Sequence, residues 1–164
     1  MKISASVSCT SFTSPLGPML LAASEAGLAG VWFDQQRHMP DSTGWQQNEQ
    51  HPVLKSAALQ LSEYFAGTRT QFDLPLDWSH GTAFQQSVWR ALLSIPRGLT
   101  TSYGALSLRC GHATAIRAVG SAIGRNPFTI VVPCHRVLGK DGSLTGYAGG
   151  LERKVALLQL EGVL

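Results

Sequence analysis

Apolar and polar residues alternate with a period of two in three early stretches, Ser4 to Thr13, Met19 to Ala23 and Leu28 to Phe33. That period buries one face of an extended chain, so each stretch predicts a β-strand. Ser14-Pro15-Leu16-Gly17-Pro18 supplies the turn of a first hairpin. Arg37 to His51 is polar and aperiodic and reads as a loop. Pro52 then opens a helical pattern, with Leu54, Ala57/Ala58, Leu61 and Tyr64/Phe65 on one face and Gly67 as its stop. Phe72 to Trp78 returns as an edge strand, because Pro75 lacks the donor a central strand needs.

Beyond residue 81 the pattern becomes helical. Thr82 caps a helix whose stripe is Phe84, Val88, Leu92 and Ile95, and Pro96 with Gly98 ends it. Two short helices are expected at Tyr103 to Cys110 and Thr114 to Ile123, with Gly111 in a left-handed position between them; this is the signature of a helix-turn-helix. The β-branched run Ile130-Val131-Val132 predicts a short buried strand that Pro133 terminates, delivering Cys134, His135 and Arg136 to the lip of the fold. A tight turn at Gly139-Lys140-Asp141-Gly142, a glycine-rich loop from Gly146 to Gly150 and a last helix from Leu151 to Leu160 complete the chain. The expected architecture is an α/β domain over residues 1–80, an antiparallel sheet plus a helix, followed by a mainly helical domain over residues 81–164.

Charge divides the same way. Through Gly81 there are four Lys/Arg against seven Asp/Glu, a net −3; from Thr82 onward there are nine against three, a net +6. A basic half of this kind fits a polyanion-binding face or a solvated basic surface. No apolar stretch has membrane-spanning length and Met1-Lys2-Ile3 begins no signal peptide, so a cytoplasmic protein that does not enter membranes is expected. Cys9, Cys110 and Cys134 are few, odd in number and far apart, which gives no disulfide framework, and scattered histidines without a Cys-x-x-Cys pair argue against a metal site.

Two segments carry candidate chemistry. Cys134 stands beside an imidazole and a guanidinium, the kinds of group that lower a thiol pKa from its usual value of about 8.5. On the Thr114 to Ile123 helix, Ile116, Val119 and Ile123 share a stripe that should face the core, and Arg117, Ser121 and Gly124 share the opposite, exposed one. Ala113, Ala115, Ala118, Gly120, Ala122 and Gly124 make that helix thin enough for a narrow groove, or for close packing against another helix. A lone arginine on a face of small residues has the form of a probe pushed into a duplex.

Taken together, Tyr103, Arg117-Ala118-Val119-Gly120, Asn126-Pro127, Val132-Pro133-Cys134-His135-Arg136-Val137, Gly146-Tyr147, Gly149-Gly150-Leu151 and Glu161-Gly162 resemble the O6-alkylguanine-DNA alkyltransferase family in its bacterial constitutive form. The likeness spans nearly all of the second half. In the first it extends only to the strand–helix plan, for which it implies a ribonuclease-H-like domain. It implies single-turnover repair in which an alkyl group passes irreversibly from O6-alkylguanine, and also O4-alkylthymine, to Cys134 after the nucleotide is flipped out. His135 would take the thiol proton through a water, Glu161 would orient the imidazole, and Tyr103 would donate to the departing guanine. Asn126 would tie the helix-turn-helix to the cysteine turn, and Arg117 would fill the vacated stack from the minor groove, with Ala118, Gly120 and Ser121 beside it. Tyr147, Ala148, Val137 and Thr129 would form the base pocket. Arg136 is expected to pair with a carboxylate for the fold. No metal or organic cofactor is implied. The partner is double-stranded DNA, bound by a monomer, with cooperativity left open.

Two departures concern substrate range. Thr129 replaces a proline of some relatives and implies weaker binding of benzylated free guanine, whereas small Ala148 and Gly149 imply room for alkyl groups larger than methyl. Rival readings are a non-catalytic damage sensor, a helix-turn-helix regulator and a cysteine hydrolase. The reactive-type cysteine opposes the first, the shortage of base-reading polar side chains on the second helix the second, and the sequence adjacency of Cys134 and His135 the third.

Overall fold

The computed structural model describes residues 2–3 and 6–164. The chain divides into two compact units, Met1–His80 and Gly81–Leu164. In the first, strands β1 (Ser8–Ser14), β2 (Gly17–Ser24) and β3 (Gly27–Phe33) form an antiparallel meander, joined by two-residue turns at Pro15-Leu16 and Glu25-Ala26. The start of the first expected strand, Ser4 and Ala5, lies outside the described residues. Ser14 closes the first turn with its side chain, donating to the Gly17 carbonyl and accepting from the Leu16 amide. The polar stretch after β3 contains a two-residue strand that the pattern did not show, β4 (Gln46–Gln47), which pairs in parallel with β1 and gives the order β3-β2-β1-β4.

Helix α1 (Pro52–Phe65) begins at its proline and lays Leu54, Ala57, Leu61 and Tyr64 against the strands. Leu54 and Leu61, both fully buried, each contribute roughly 1.5–3 kcal/mol of transfer free energy. The second part of the core gathers Val7, Cys9, Ala22, Ala29, Trp32 and Trp45, and glycine at position 30 leaves room for the Trp32 ring. The Phe72 to Trp78 edge strand is a correction: only Leu76 bridges, to Leu28, flanked by Leu28 N–H to the Pro75 carbonyl and Asp77 N–H to the Leu28 carbonyl. Pro75 limits the pairing to that one step.

In the second unit, α2 (Ala83–Leu92) starts with a capping box in which Thr82 accepts from the Gln85 amide and Gln85 accepts from the Thr82 amide, an arrangement worth about 1 kcal/mol. Strand β5 (Thr101–Ser102) leads directly into α3 (Tyr103–Arg109), which Ser102 caps. Gly111 is left-handed, φ 80°, and α4 (Ile116–Gly124) follows and packs on α2 and α3. The Trp89 indole donates to the Ala122 carbonyl in the last turn of α4, which also accepts the Arg125 amide. Strand β6 (Val137–Leu138) pairs in parallel with β5, and α5 (Leu151–Leu160) closes the unit.

Two expectations fail here. Ile130-Val131-Val132 is buried but is not a strand: the chain turns there, with Ile130 at φ 73° and the Val132 amide donating back to the Phe128 carbonyl. Cys134 therefore lies 7% exposed on a 3₁₀ turn, Cys134–Arg136, and not at an open rim. Ile116 is 47% exposed, unlike Val119 and Ile123, because it starts the helix beside Gly104, which has no side chain to cover it. Among the described residues, no helix is long and apolar enough to cross a membrane.

Candidate active site

The cysteine turn is built around one amide. Asn126, two residues past α4, donates through Nδ2 to the carbonyls of Val132 (2.8 Å) and Phe128 (3.4 Å) and accepts the Phe128 amide on Oδ1 (2.9 Å). These bonds do the work a strand ladder would have done, which is why the β-branched run can turn and stay buried. The turn then places Cys134, His135 and Arg136 against α5, whose buried face is Lys154, Leu157, Leu158 and Glu161. That is helical spacing of three, four and seven, so one face delivers an ammonium and a carboxylate two turns apart.

Glu161 is shared. Its Oε1 lies 2.7 Å from His135 Nε2 and 2.8 Å from an Arg136 terminal nitrogen, and its Oε2 accepts Arg136 Nε at 2.9 Å. Arg136 also donates to the Ile95 carbonyl at 2.6 Å. Burial alone would raise the Glu161 pKa, but the bonds from His135 and Arg136 and their charges hold it well below the usual carboxylate range. A carboxylate that accepts at Nε2 fixes the hydrogen on that nitrogen and leaves the lone pair on Nδ1. His135 Nδ1 is buried with no protein partner. Burial lowers the imidazole pKa, with Glu161 pulling the other way, so the ring is neutral near pH 7 and able to accept a proton.

Burial also raises the Cys134 thiol, while the Asn126 amide and the Lys154 charge favour the thiolate. Tyr103, the first residue of α3, is placed by the β5–β6 pairing next to the exit of the cysteine turn. Its hydroxyl donates to the Thr145 carbonyl at 3.1 Å, and burial, then the Cys134 charge, raise its pKa. Lys154 is fully buried and donates to the carbonyls of Val137 (2.6 Å), Thr145 (3.0 Å) and Gly146 (3.1 Å). Burial lowers its pKa to about 8, with Cys134 acting to raise it, so it remains an ammonium at neutral pH.

Of the residues singled out from sequence, Cys134, His135, Glu161, Tyr103 and Asn126 meet through these bonds and fields. Thr129 and Val137 are buried on the two sides of the turn, and Tyr147 and Ala148 are half-buried in the loop that Lys154 anchors. Arg117, Ala118 and Ser121 instead stand exposed on α4, with Gly120 3.8 Å in would-be Cβ distance from the Tyr103 ring. Lys154 was missed. A lysine at a core position of the stripe running to Leu157, Leu158 and Glu161 was the available signal. Among the described residues no group of three His, Cys, Asp or Glu side chains is arranged to hold a metal.

A buried thiol beside a neutral histidine, a carboxylate that orients the histidine, and a phenol within electrostatic reach is an arrangement for moving a group onto sulfur. Comparison with known proteins gives the same direction. Residues 83–163 match the DNA-binding domain of 6-O-methylguanine DNA methyltransferase, and residues 7–78 match its ribonuclease-like domain. The chain belongs to this methyltransferase family. It is 46% identical over 155 residues to the methylated-DNA–protein-cysteine methyltransferase of Mycobacterium leprae, covering 94% of this chain and 92% of the relative. With the protein of that name from Methanosarcina acetivorans it shares 49% over 154 residues, covering 92% and 96%. Among solved structures, the Mycobacterium tuberculosis methyltransferase in complex with DNA superposes with a TM-score of 0.84 at 46% identity, covering 94% of this chain and 91% of the other. Two-domain architecture, a sheet domain followed by a helical DNA-binding domain, is thus common to the methyltransferase family and this chain.

Proposed function

We propose that this protein repairs alkylated DNA by accepting the alkyl group of O6-alkylguanine on Cys134, once per molecule. The observation that carries this reading is the His135–Glu161 pair, with Cys134 on the same 3₁₀ turn, in a chain of this family. His135 Nδ1 would take the thiol proton through a water, and Glu161 would stabilise the imidazolium formed. As the Sγ–carbon bond forms, the carbon–O6 bond breaks and its electron pair leaves with guanine, to which Tyr103 donates its hydroxyl hydrogen. The thioether has no leaving group that the site can expel, so the protein is consumed, and no metal or cofactor is required. O4-alkylthymine presents the same alkyl–oxygen bond and belongs to the same reading.

In this reading α3, the Gly111 turn and α4 act as a helix-turn-helix, supported by the left-handed glycine and the packing of the two helices. Its exposed face of Arg117, Ala118, Gly120 and Ser121 would enter the minor groove, Arg117 occupying the place of the flipped nucleotide. Tyr147, Ala148, Thr129 and the Val137 carbonyl would line the base pocket. The Val137 carbonyl also accepts from Lys154. Residues 1–80 would be a supporting domain of ribonuclease-H-like type and 81–164 the DNA-binding and acceptor domain. A protein that works through a reduced thiol suits the cytoplasm.

The test is intact-protein and peptide mass after mixing the protein with a duplex holding one O6-methylguanine. One added methylene on Cys134, saturating at one per protein and absent in Cys134→Ala, is expected. Tight binding without transfer would make the protein a damage sensor instead.

A further inference from the structure

The Lys154 ammonium has no part in the transfer steps above, although its three hydrogens hold three backbone carbonyls around them. One of those carbonyls has a second donor. Thr145 O accepts from Lys154 Nζ at 3.0 Å and from the Tyr103 hydroxyl at 3.1 Å, which uses both of its lone pairs. The hydroxyl meant for the departing guanine is therefore engaged with protein in the resting state. To serve the reaction it must leave Thr145, and the charged ammonium bonded to the same carbonyl, the stronger donor of the two, weakens that carbonyl's hold on the hydroxyl.

We propose that Lys154 is a positioning residue for alkyl transfer: by keeping the Thr145 carbonyl satisfied, it lets the Tyr103 hydroxyl pass from its resting partner to the departing base. The same ammonium ties the Thr145-Gly146 segment to Val137 at the exit of the cysteine turn, so the tyrosine's resting partner is fixed relative to the reacting sulfur. No proton leaves the lysine. Tyr103 donates its hydrogen to guanine and regains it from solvent water, while Lys154 stays charged throughout. Burial brings its pKa only down to about 8, which leaves it protonated at neutral pH.

This role rests on Cys134 being the acceptor, and the test separates the two claims. Single-turnover rates on an O6-methylguanine duplex would be measured for the wild type, Lys154→Met, Tyr103→Phe and the double variant. Each single change should slow transfer at saturating duplex about tenfold or more and leave the half-saturating duplex concentration unchanged. The double variant should be no slower than the slower single one within about twofold, and Lys154→Arg should recover much of the rate. Losses that multiply in the double variant overturn the proposal, since the lysine would then act independently of Tyr103, through packing or through its charge on Cys134. Absence of methyl on wild-type Cys134 would sink the underlying reading instead. A second measurement leaves Lys154 intact and decides the matter should Lys154→Met fail to fold. In Cys134→Ser protein carrying labelled tyrosine and lysine, addition of the duplex should shift the Tyr103 Cζ resonance while Lys154 Nζ stays in its ammonium position. An unmoved Tyr103 or a displaced Lys154 signal overturns the proposal.

Discussion

His135 and Arg136 share a single buried carboxylate, that of Glu161, and each depends on it differently. Arg136 needs it to compensate a charge taken out of water. Glu161→Gln should therefore destabilise the fold by about 3–5 kcal/mol, the range for breaking one side of a buried pair; urea unfolding measures it, and a loss below about 1 kcal/mol would show that the pair contributes little. The pH dependence follows from the same groups. A His135 pKa lowered by burial means the unfolded chain binds more protons below about pH 6.5, and a lowered Glu161 pKa does the same below about pH 4.3. Both contributions are present at higher pH and are lost as pH falls. The urea midpoint should drop below about pH 6.5 and more steeply below about pH 4.3. Transfer has its own profile: it should climb with pH as thiolate accumulates and level off above about pH 8, where burial has raised the Cys134 thiol and the thiolate gained is offset by the Lys154 ammonium lost. The rate of Lys154→Arg, which keeps its charge, should continue to climb past that point.

At the scale of elements, the proposed DNA-facing role of α4 opposes its stability. Gly124 faces open space, so a Cβ there meets nothing within 4 Å. Gly124→Ala should raise stability by roughly 0.5–1 kcal/mol through helix propensity. If a thin helix is what a duplex needs, the same variant should bind duplex more weakly while its reaction with free O6-alkylguanine is unchanged; tighter duplex binding would refute that. Arg117→Ala, on an exposed side chain, should slow repair of duplex without lowering the unfolding midpoint, and a large stability loss would remove its assigned role. Three of the helices were legible because each carried a boundary of its own. Pro52 began α1, Thr82 capped α2, and the stripe of α5 ended where the helix ends. Ile130-Val131-Val132 was misread because β-branched residues report burial as readily as extension, and the Asn126 amide that bends them back lies outside the run. Ile116 was misread because periodicity assigns a face to a helix but not how far its neighbours extend along it.

For the whole molecule, the charge asymmetry predicts salt dependence. With a net +6 from Thr82 onward against −3 before it, duplex affinity should fall as salt rises, because bound phosphates release counterions. Titrations at several salt concentrations should give a linear fall in the logarithm of affinity, and the Arg117→Ala and wild-type slopes should differ by about one at most. An affinity indifferent to salt would contradict a phosphate-tracking face. The chain alone determined the opening three-strand meander, the helices, the change from a sheet pattern to a helical one, and the motifs whose family resemblance singles out Cys134, His135, Glu161, Tyr103 and Asn126. Each of these is written in local spacing or in short motifs that neighbouring residues carry. Tertiary structure decided how those residues combine: that Asn126 replaces a ladder, that Glu161 serves Arg136 as well as His135, and that Tyr103 and Lys154 share the Thr145 carbonyl. Those links join residues 6 to 42 positions apart. Most of them run through backbone carbonyls, which every residue possesses and which no side-chain pattern can distinguish.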